Sequence, residues 1–500
     1  MNIAQKIAKE ATISFVGMGF GNTVRYIFTA LLARWVGIEY LGIYSLGNAI
    51  TRFAEVFGKA GLDIGILRYV SMHRGSADER AVRRDIRSTL KIGLVFSLIV
   101  MMFQIALSGW LVTSVFHGSQ LLRTVIIVNA FSLPFTILTL IAAFATQGFK
   151  LLKYKIIVTN ILSPLILLLA MVIVYFLFSS EMAIILPILI SAIVSLVAIL
   201  FFLRKLTGVH FSQIIPARLS TTILCFSYPL LFVSIIGTFM HWMDVMMLGY
   251  FTDTSTVGLY YPAARTAGLL RTIFLAFISI FAPMISELFA QEKQNEMNRL
   301  YQLVVRWIMT LAVPIMIILI LFSKKVMMLF GGEYIQASNV LIVLTFATLI
   351  QAFIGAGGPA LTMSGRPKVN LVNSVIVVVI NVILNMLWIP KYEIMGAAWA
   401  TFASLTILGL LQSFEVGFLI KLHPFTWKLI KPIIAGITTS VILYLVKPFI
   451  MPYHTVVTLL LAGLVTFSSF ANVLWLMKFD SDDRDVWKGL LMIRKPSKRR

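Results

Sequence analysis

The strongest constraint on this chain is that charged side chains, most of them positive, are set inside apolar stretches long enough to cross a bilayer. Arg25, Arg52, Lys59, Arg265 and Arg271 all fall within such stretches. An ionised side chain at bilayer depth costs about 2.5–3.5 kcal/mol even on the lenient insertion scale. Five of them would cost on the order of 12 kcal/mol, comparable with the whole stability of a domain. They cannot face lipid. They must line a wet cavity or be paired, and a cavity rich in fixed cations suits an anion.

The remainder of the chain fits that setting. Its 500 residues are 59% hydrophobic and 12% charged, about half the charge of a soluble domain. Apolar segments of about 20 residues recur from end to end, which leaves no room for a soluble domain of ordinary size. The first half reads as seven spans, at roughly 11–36, 40–62, 89–113, 122–147, 155–178, 182–204 and 222–249. The second half reads as seven more, at roughly 256–284, 301–323, 335–362, 369–389, 395–420, 432–450 and 455–477. These runs are too long and too uniformly apolar for barrel strands. The first is too long for a signal h-region and has no small-residue cleavage site, so no cleaved leader is expected. A single cysteine, Cys225, cannot form an internal disulfide.

A net charge of +22 invites a nucleic-acid reading, but its distribution opposes one. Most Lys and Arg fall in alternate connections and in both tails, with the densest clusters at 68–91 and at the C-terminus. That is the positive-inside pattern, which places both termini in the cytoplasm and the clusters against anionic headgroups. All loops are short, so no large external domain is expected.

A weak internal repeat runs through the chain. LGIYSLGNAITRF at 41–53 is echoed by VGLYYPAARTAGL at 257–269, with Gly42-Ile43-Tyr44 matching Gly258-Leu259-Tyr260. An offset of about 216 residues corresponds to six spans, which preserves orientation. The expected architecture is therefore an all-α polytopic membrane protein of about 14 transmembrane helices. Two parallel six-helix lobes would surround a central cationic cavity, followed by two C-terminal helices. The expected segments are 1–204, a linker at 205–221, 222–420, two further helices at 421–477, and a basic tail at 478–500.

Spacing within helices nominates the site. Arg52, Glu55 and Lys59 stand at i, i+3 and i+7 and share one face, which Asn48 extends. Either Arg52 binds a phosphate oxygen while Glu55 tunes the field, or the three residues neutralise one another. Arg25 has no acidic neighbour on its own helix, whereas Arg34 lies near a helix end and can snorkel. Arg265 and Arg271 are six residues apart and point to different helix faces, so at least one should face the cavity. His241 and Asp244 lie at i, i+3 in the seventh span. Asp244 is a candidate for ion coupling or for pairing with a cavity arginine such as Arg25. Asn370, Asn373, Ser374, Asn381 and Asn385 cluster on the eleventh span, where Asn381 and Asn385 suit sugar hydroxyls or interhelical hydrogen bonds.

Several strings resemble a known family: TALLARWVGIEYLGIYSLGNAI (29–50), GLDIGILRYVS (61–71), VGLYYPAARTAGLL (257–270), APMISELFAQ (282–291), LTMSGRPKVNLVNSVIVVVINVILNMLWIP (361–390) and MGAAWAT (395–401). In that order they resemble the polysaccharide-transporter branch of the multidrug/oligosaccharidyl-lipid/polysaccharide exporter superfamily. One departure is Glu393, where that family more often has Gly. The resemblance implies a flippase that carries polyprenyl-(pyro)phosphate-linked oligosaccharide from the cytoplasmic to the outer leaflet of the inner (cytoplasmic) membrane. It would act as a monomer among membrane lipids, beside a polysaccharide polymerase or glycosyltransferases. It also implies that Arg25, Arg52 and one of Arg265 or Arg271 match the arginines of the first, second and eighth helices of related precursor flippases.

Two rivals remain. An ion-coupled drug extruder of the same superfamily would need acidic residues to dominate its cavity. A membrane-embedded glycosyl or acyl transferase would need a catalytic His or a carboxylate pair at a membrane face. No phosphate loop, HExxH or CxxC pattern occurs, so no catalytic residues, cofactor, metal or ATP hydrolysis are expected.

Overall fold

The computed structural model describes residues 3–354 and 356–477, and among these every regular element is helical. The tail expected at 478–500 lies outside the described residues. The chain divides into two compact units. The first comprises residues 1–269, 330–340 and 374–404, and the second 270–329, 341–373 and 405–500.

The first unit starts with α1 (Ile3–Val36) and α2 (Ile38–Lys59), separated by Gly37 at φ +97°. Helix α3 (Leu62–Gly75) follows, and then α4 (Glu79–Trp110), whose N-terminus is capped by Asp78 accepting from the Ala81 N–H at 2.9 Å. Next come α5 (Gln120–Gly148) and α6 (Leu152–Ile156). A π-helical turn, Ile157–Leu162, joins α6 to α7 (Ser163–Leu177). After α8 (Ser180–Thr207), α9 (Thr221–Phe251) and α10 (Thr254–Ala267) complete the N-terminal part. Apolar side chains of α3, α4, α5 and α8, including Ile66, Ile86, Ile137 and Ile199, form its core.

The second unit holds α11 (Leu269–Ala290), α12 (Gln294–Leu321), α13 (Ser323–Met327), α14 (Ser338–Ile354) and α15 (Gly357–Met363). It also contains both ends of α16 (Pro367–Ile420), whose middle belongs to the first unit, and α17 (Ile430–Ile450) and α18 (Thr455–Leu476). Its cores are built from α11, α12, α15 and α16 at one place and from α12, α17 and α18 at another.

Ten helices among the described residues are long and apolar enough to cross a membrane. The fourteen expected segments are largely helical among the described residues, but α1, α2 and the eighth segment, which breaks at Gly268 into α10 and α11, are not among those ten. Helices α1 and α2 carry the arginines, glycines and small polar residues that dilute their hydropathy. The helix Pro367–Ile420 counts once although it bends at Glu393, where φ is 47° and ψ is −123°. Many large apolar side chains stay exposed, Phe414, Phe418 and Phe449 among them, as expected where the solvent is hydrocarbon.

The compact units do not part at the expected linker. Helices α9 and α10 join the first unit because α2 packs closely on α10 at the two repeat glycines. A Cβ on Gly42 would lie 1.7 Å from the Thr254 carbonyl oxygen, and one on Gly258 would lie 2.1 Å from that of Ile38. Each glycine sits on the backbone four residues before the other, so the contact has local two-fold character. Only glycine allows backbones this close.

Candidate functional site

Helix α1 brings Arg25 to the site through two glycines. Gly17 and Gly21 stand one turn apart and face Ile156 and the Asn160 backbone, where a Cβ would meet atoms at 2.2 Å in each case. This small-xxx-small pattern draws α1 against the π-helical turn. One turn further on, Arg25 donates from Nη2 to the Thr159 carbonyl at 2.9 Å. The wider π turn leaves that carbonyl available to a side chain.

Arg52 comes from α2. Its Nη1 donates to Glu55 Oε2 at 2.7 Å, so the expected pairing forms. The guanidinium nevertheless keeps 48% of its side-chain surface open, against 10% for Glu55. The pair therefore turns a positive face outward and tucks its carboxylate inward. Arg265 comes from the last turn of α10. Beside it Thr266 donates to the Pro262 carbonyl at 2.7 Å and receives the Tyr26 hydroxyl at 3.2 Å, which ties α1 to α10. Arg25, Arg52 and Arg265 are near enough for Arg25 to feel both other charges, and the Tyr44 and Tyr261 phenols share the same field. Three guanidiniums and one carboxylate leave a net positive centre.

Arg25 and Arg52 line a cavity of about 160 Å³ inside the first unit, together with Tyr44 and Asn48. Its remaining walls come from α5, the π turn, α7 and α8, and most of their polar groups are hydroxyls. These hydroxyls, the pair Ser191 and Ser195 above all, were missed in the sequence. Their i, i+4 spacing on an otherwise apolar helix was the signal available.

The other expected site residues are placed differently. Lys59 is drawn away by Asp63, with which it pairs at 3.2 Å. Arg271 is exposed on α11 and belongs to the second unit, whereas Arg265 belongs to the first, with Arg25 and Arg52. His241 is exposed and meets Trp242 edge-on, with ring centres 5.3 Å apart. Asn370 and Asn373 serve as interhelical ties in the second unit, Asn370 to Thr362 and Gln412 and Asn373 to Glu415.

Asp244 forms a second centre, and the expected pairing with Arg25 is corrected. Its partners are neutral: Tyr260 donates to Oδ2 at 2.9 Å, Asn385 donates to Oδ1 at 3.0 Å, and Thr401 donates to Oδ2. Asn385 also donates to Asn381 Oδ1 at 3.0 Å, and its own Oδ1 is buried without a partner among the described residues. Asn381 and Asn385, expected at a sugar, are committed to this carboxylate. Arg25 meanwhile spends its bond on a backbone carbonyl. The two centres occupy equivalent places in the repeat. Tyr260 meets Asp244 where, about 216 residues earlier, Tyr44 packs on Phe28 with ring centres 5.4 Å apart.

Comparison with known proteins places this geometry. The family model described as polysaccharide biosynthesis protein matches residues 7–289, and the MatE model matches residues 229–387. A probable low-salt glycan biosynthesis flippase of Haloferax volcanii, Agl15, is 32% identical over 175 residues, 35% of this chain and 37% of that protein. The chain thus spans just over a third of that relative's length. A putative O-antigen transporter of Shigella flexneri is 22% identical over 78% of this chain and 93% of its own. The fold is that of a structure described as lipid II flippase MurJ in an inward closed conformation, with a TM-score of 0.69 at 16% identity over 92% of this chain and 98% of that one. The chain belongs to the polysaccharide biosynthesis protein family.

Proposed function

We propose that this protein is a flippase that moves a polyprenyl-(pyro)phosphate-linked oligosaccharide from the cytoplasmic to the outer leaflet by alternating access. The observation that carries the reading is the convergence of Arg25, Arg52 and Arg265 beside a polar cavity, with Glu55 paired to Arg52. A guanidinium keeps its proton and presents a planar fork that matches phosphate oxygens, so the three can hold a diphosphate through charge-assisted hydrogen bonds. The polyprenyl chain stays in the hydrocarbon throughout. A drug extruder for cations would find this centre repulsive.

The positive-inside pattern supports cytoplasmic termini, and the reading puts the protein in the inner (cytoplasmic) membrane. An inside-negative potential then favours outward passage of the anionic headgroup by about 2.3 kcal/mol per charge per 100 mV. The Asp244 centre is the candidate for ion coupling. Its carboxylate accepts from the Tyr260 phenol, the Asn385 amide N–H and the Thr401 hydroxyl, and a negative group at this depth can be neutralised by a proton or a monovalent cation that helps to set the conformational cycle. A polysaccharide polymerase or glycosyltransferases would act on the substrate before or after its transfer.

The test is the amount and membrane sidedness of lipid-linked sugar in cells that lack the protein. Polyprenyl-phosphate-linked oligosaccharide trapped on the cytoplasmic leaflet, relieved by the wild-type gene and not by Arg52→Ala, is expected. Normal sidedness, with raised sensitivity to toxic cations instead, would replace this reading by the drug-extruder one.

A further inference from the structure

In the second unit, the loop that follows α16 is strapped to the start of α12. Gln294, Asn298 and Gln302 stand at i, i+4 and i+8 on α12. The Gln294 amide donates to the Ile420 carbonyl, Asn298 Oδ1 accepts from the His423 N–H at 3.0 Å, and the Gln302 amide donates to the His423 carbonyl at 3.2 Å. Lys421, at φ 51°, turns the chain out of α16 into this loop. The strap brings Trp427 and Lys428 beside the neighbouring face of α12, where Arg299, Leu303 and Arg306 follow at i, i+4 and i+7. These residues line a cavity of about 320 Å³, wholly within the second unit.

Three side chains of its wall are cations. Arg306 is set deep, at 5% exposed, whereas Arg299 and Lys428 are exposed. The adjoining start of α17 adds the partial positive charge of a helix N-terminus. Two guanidiniums and an ammonium suit phosphate oxygens. The first unit also holds a basic cavity, of about 390 Å³, but with a different balance. There Glu79 shares the wall with Arg74 and Arg83 and pairs with Arg83 at 3.2 Å. Arg74 donates to the Phe149 carbonyl and lies over that ring at 5.0 Å. Those cations are committed to the chain itself.

The surroundings of the second-unit cavity say which phosphate it takes. Trp427 is 87% exposed, and Phe425 is exposed beside it. Open aromatic rings of this kind belong at a membrane–water interface. An apolar lane then starts two residues after Lys428. Ile430, Ile434, Ile437, Val441 and Leu445 are all exposed and follow at steps of three and four, so they share one face of α17. A soluble phosphate would use neither the aromatic rim nor the lane, whereas a phospholipid uses both.

We propose that this cavity binds the phosphodiester headgroup of an anionic phospholipid, held by Arg299, Arg306 and Lys428, with its acyl chains along the exposed face of α17. On the proposed orientation this end of α12 meets the cytoplasmic leaflet. The lipid is a resident of the membrane, and the site stands whichever headgroup the protein carries across.

The experiment measures lipid dissociation constants on the purified full-length protein by native mass spectrometry. The probes are phosphatidylglycerol, phosphatidylcholine with the same chains, and glycerol phosphate. Phosphatidylglycerol should bind about thirtyfold tighter than phosphatidylcholine. Each cation near a headgroup is worth about fivefold, so Arg299→Gln with Lys428→Gln should bring that ratio close to one. Unchanged phosphatidylcholine binding reports an intact fold. Arg74→Gln with Arg83→Gln, in the other cavity, should leave the ratio as it was. No preference in the wild type, or a preference that survives Arg299→Gln with Lys428→Gln, overturns the site. Displacement of phosphatidylglycerol by glycerol phosphate at equal concentration would make it a soluble-anion site instead and overturns the lipid assignment. Binding that appears only after Asp480, Asp482, Asp483 and Asp485, outside the described residues, are changed to Asn would give the cavity to the chain's own acidic segment and overturns it as well.

Discussion

Arg52 illustrates how an intramembrane charge is used rather than merely tolerated. Its carboxylate partner sits one turn away and is tucked inward, so the pair costs less than a lone cation yet keeps a positive face. Replacing Arg52 by Lys keeps the charge but loses the fork, and is expected to slow transport about tenfold. Arg52→Ala removes the contact and should slow it about a hundredfold, as for the loss of a charge-assisted hydrogen bond. Uptake of a labelled lipid-linked sugar in reconstituted vesicles checks both, and equal rates for the two variants would show that the fork is irrelevant. Arg34 lies in the last turn of α1, and Arg34→Ala should change the same rate less than about twofold. Much of this centre was legible from helical spacing, because Arg52 and Glu55 share a turn. The placing of Arg265 and Arg271 on separate helices was not. A continuous helix was assumed, whereas the chain changes helix at Gly268, between α10 and α11. The pairing of Lys59 was missed for a simpler reason. Its partner Asp63 lies four residues on, in the next helix, beyond the face that was traced.

At the level of elements, the approach of α1 to the π turn positions Arg25, and glycine makes that approach possible. Gly21→Ala puts a Cβ 2.2 Å from the Asn160 carbonyl oxygen and is expected to destabilise the protein by about 2 kcal/mol. Gly19, two residues away, faces nothing within 4 Å, so Gly19→Ala should be neutral or slightly stabilising. Thermal unfolding in detergent compares the two, and equal melting temperatures would refute the close contact. Helix α16 supplies a case of the opposite sign. Glu393 stands where the resembled family more often has Gly. Its φ of 47° with ψ of −123° belongs to a region that favours glycine. Glu393→Gly should therefore raise stability by about 1 kcal/mol, read as a higher melting temperature. The sequence showed a departure from the pattern but not its backbone reason, since torsion angles are set by how the two halves of α16 meet.

For the whole molecule, the repeat explains how one protein holds two centres of opposite preference. Equivalent tyrosines, Tyr44 and Tyr260, stand among arginines in the first copy and on a carboxylate in the second. Asp244→Asn is expected to abolish dependence of transport on a cation gradient while leaving binding of the headgroup within about twofold. Flux in vesicles with and without an imposed gradient checks this, and unchanged gradient dependence would make the centre purely structural. Its ring of partners was not readable in advance, because Asn385 and Thr401 lie more than a hundred residues from Asp244 and meet it only through the fold. Most of the segments and their helical nature were readable, because apolar length and period survive any tertiary arrangement.

The contact between Gly42 and Gly258 has a consequence for how such a protein can evolve. Both partners are already the smallest residue, and each faces the main chain of the other helix. A side chain acquired at one position cannot be accommodated by shrinking its neighbour, so no second mutation at the contact restores the first. After a duplication, the chemistry on either side of this point was free to diverge, as Phe28 and Asp244 have. The point itself admits no such exchange, and randomising both codons together should return functional clones with glycine at both.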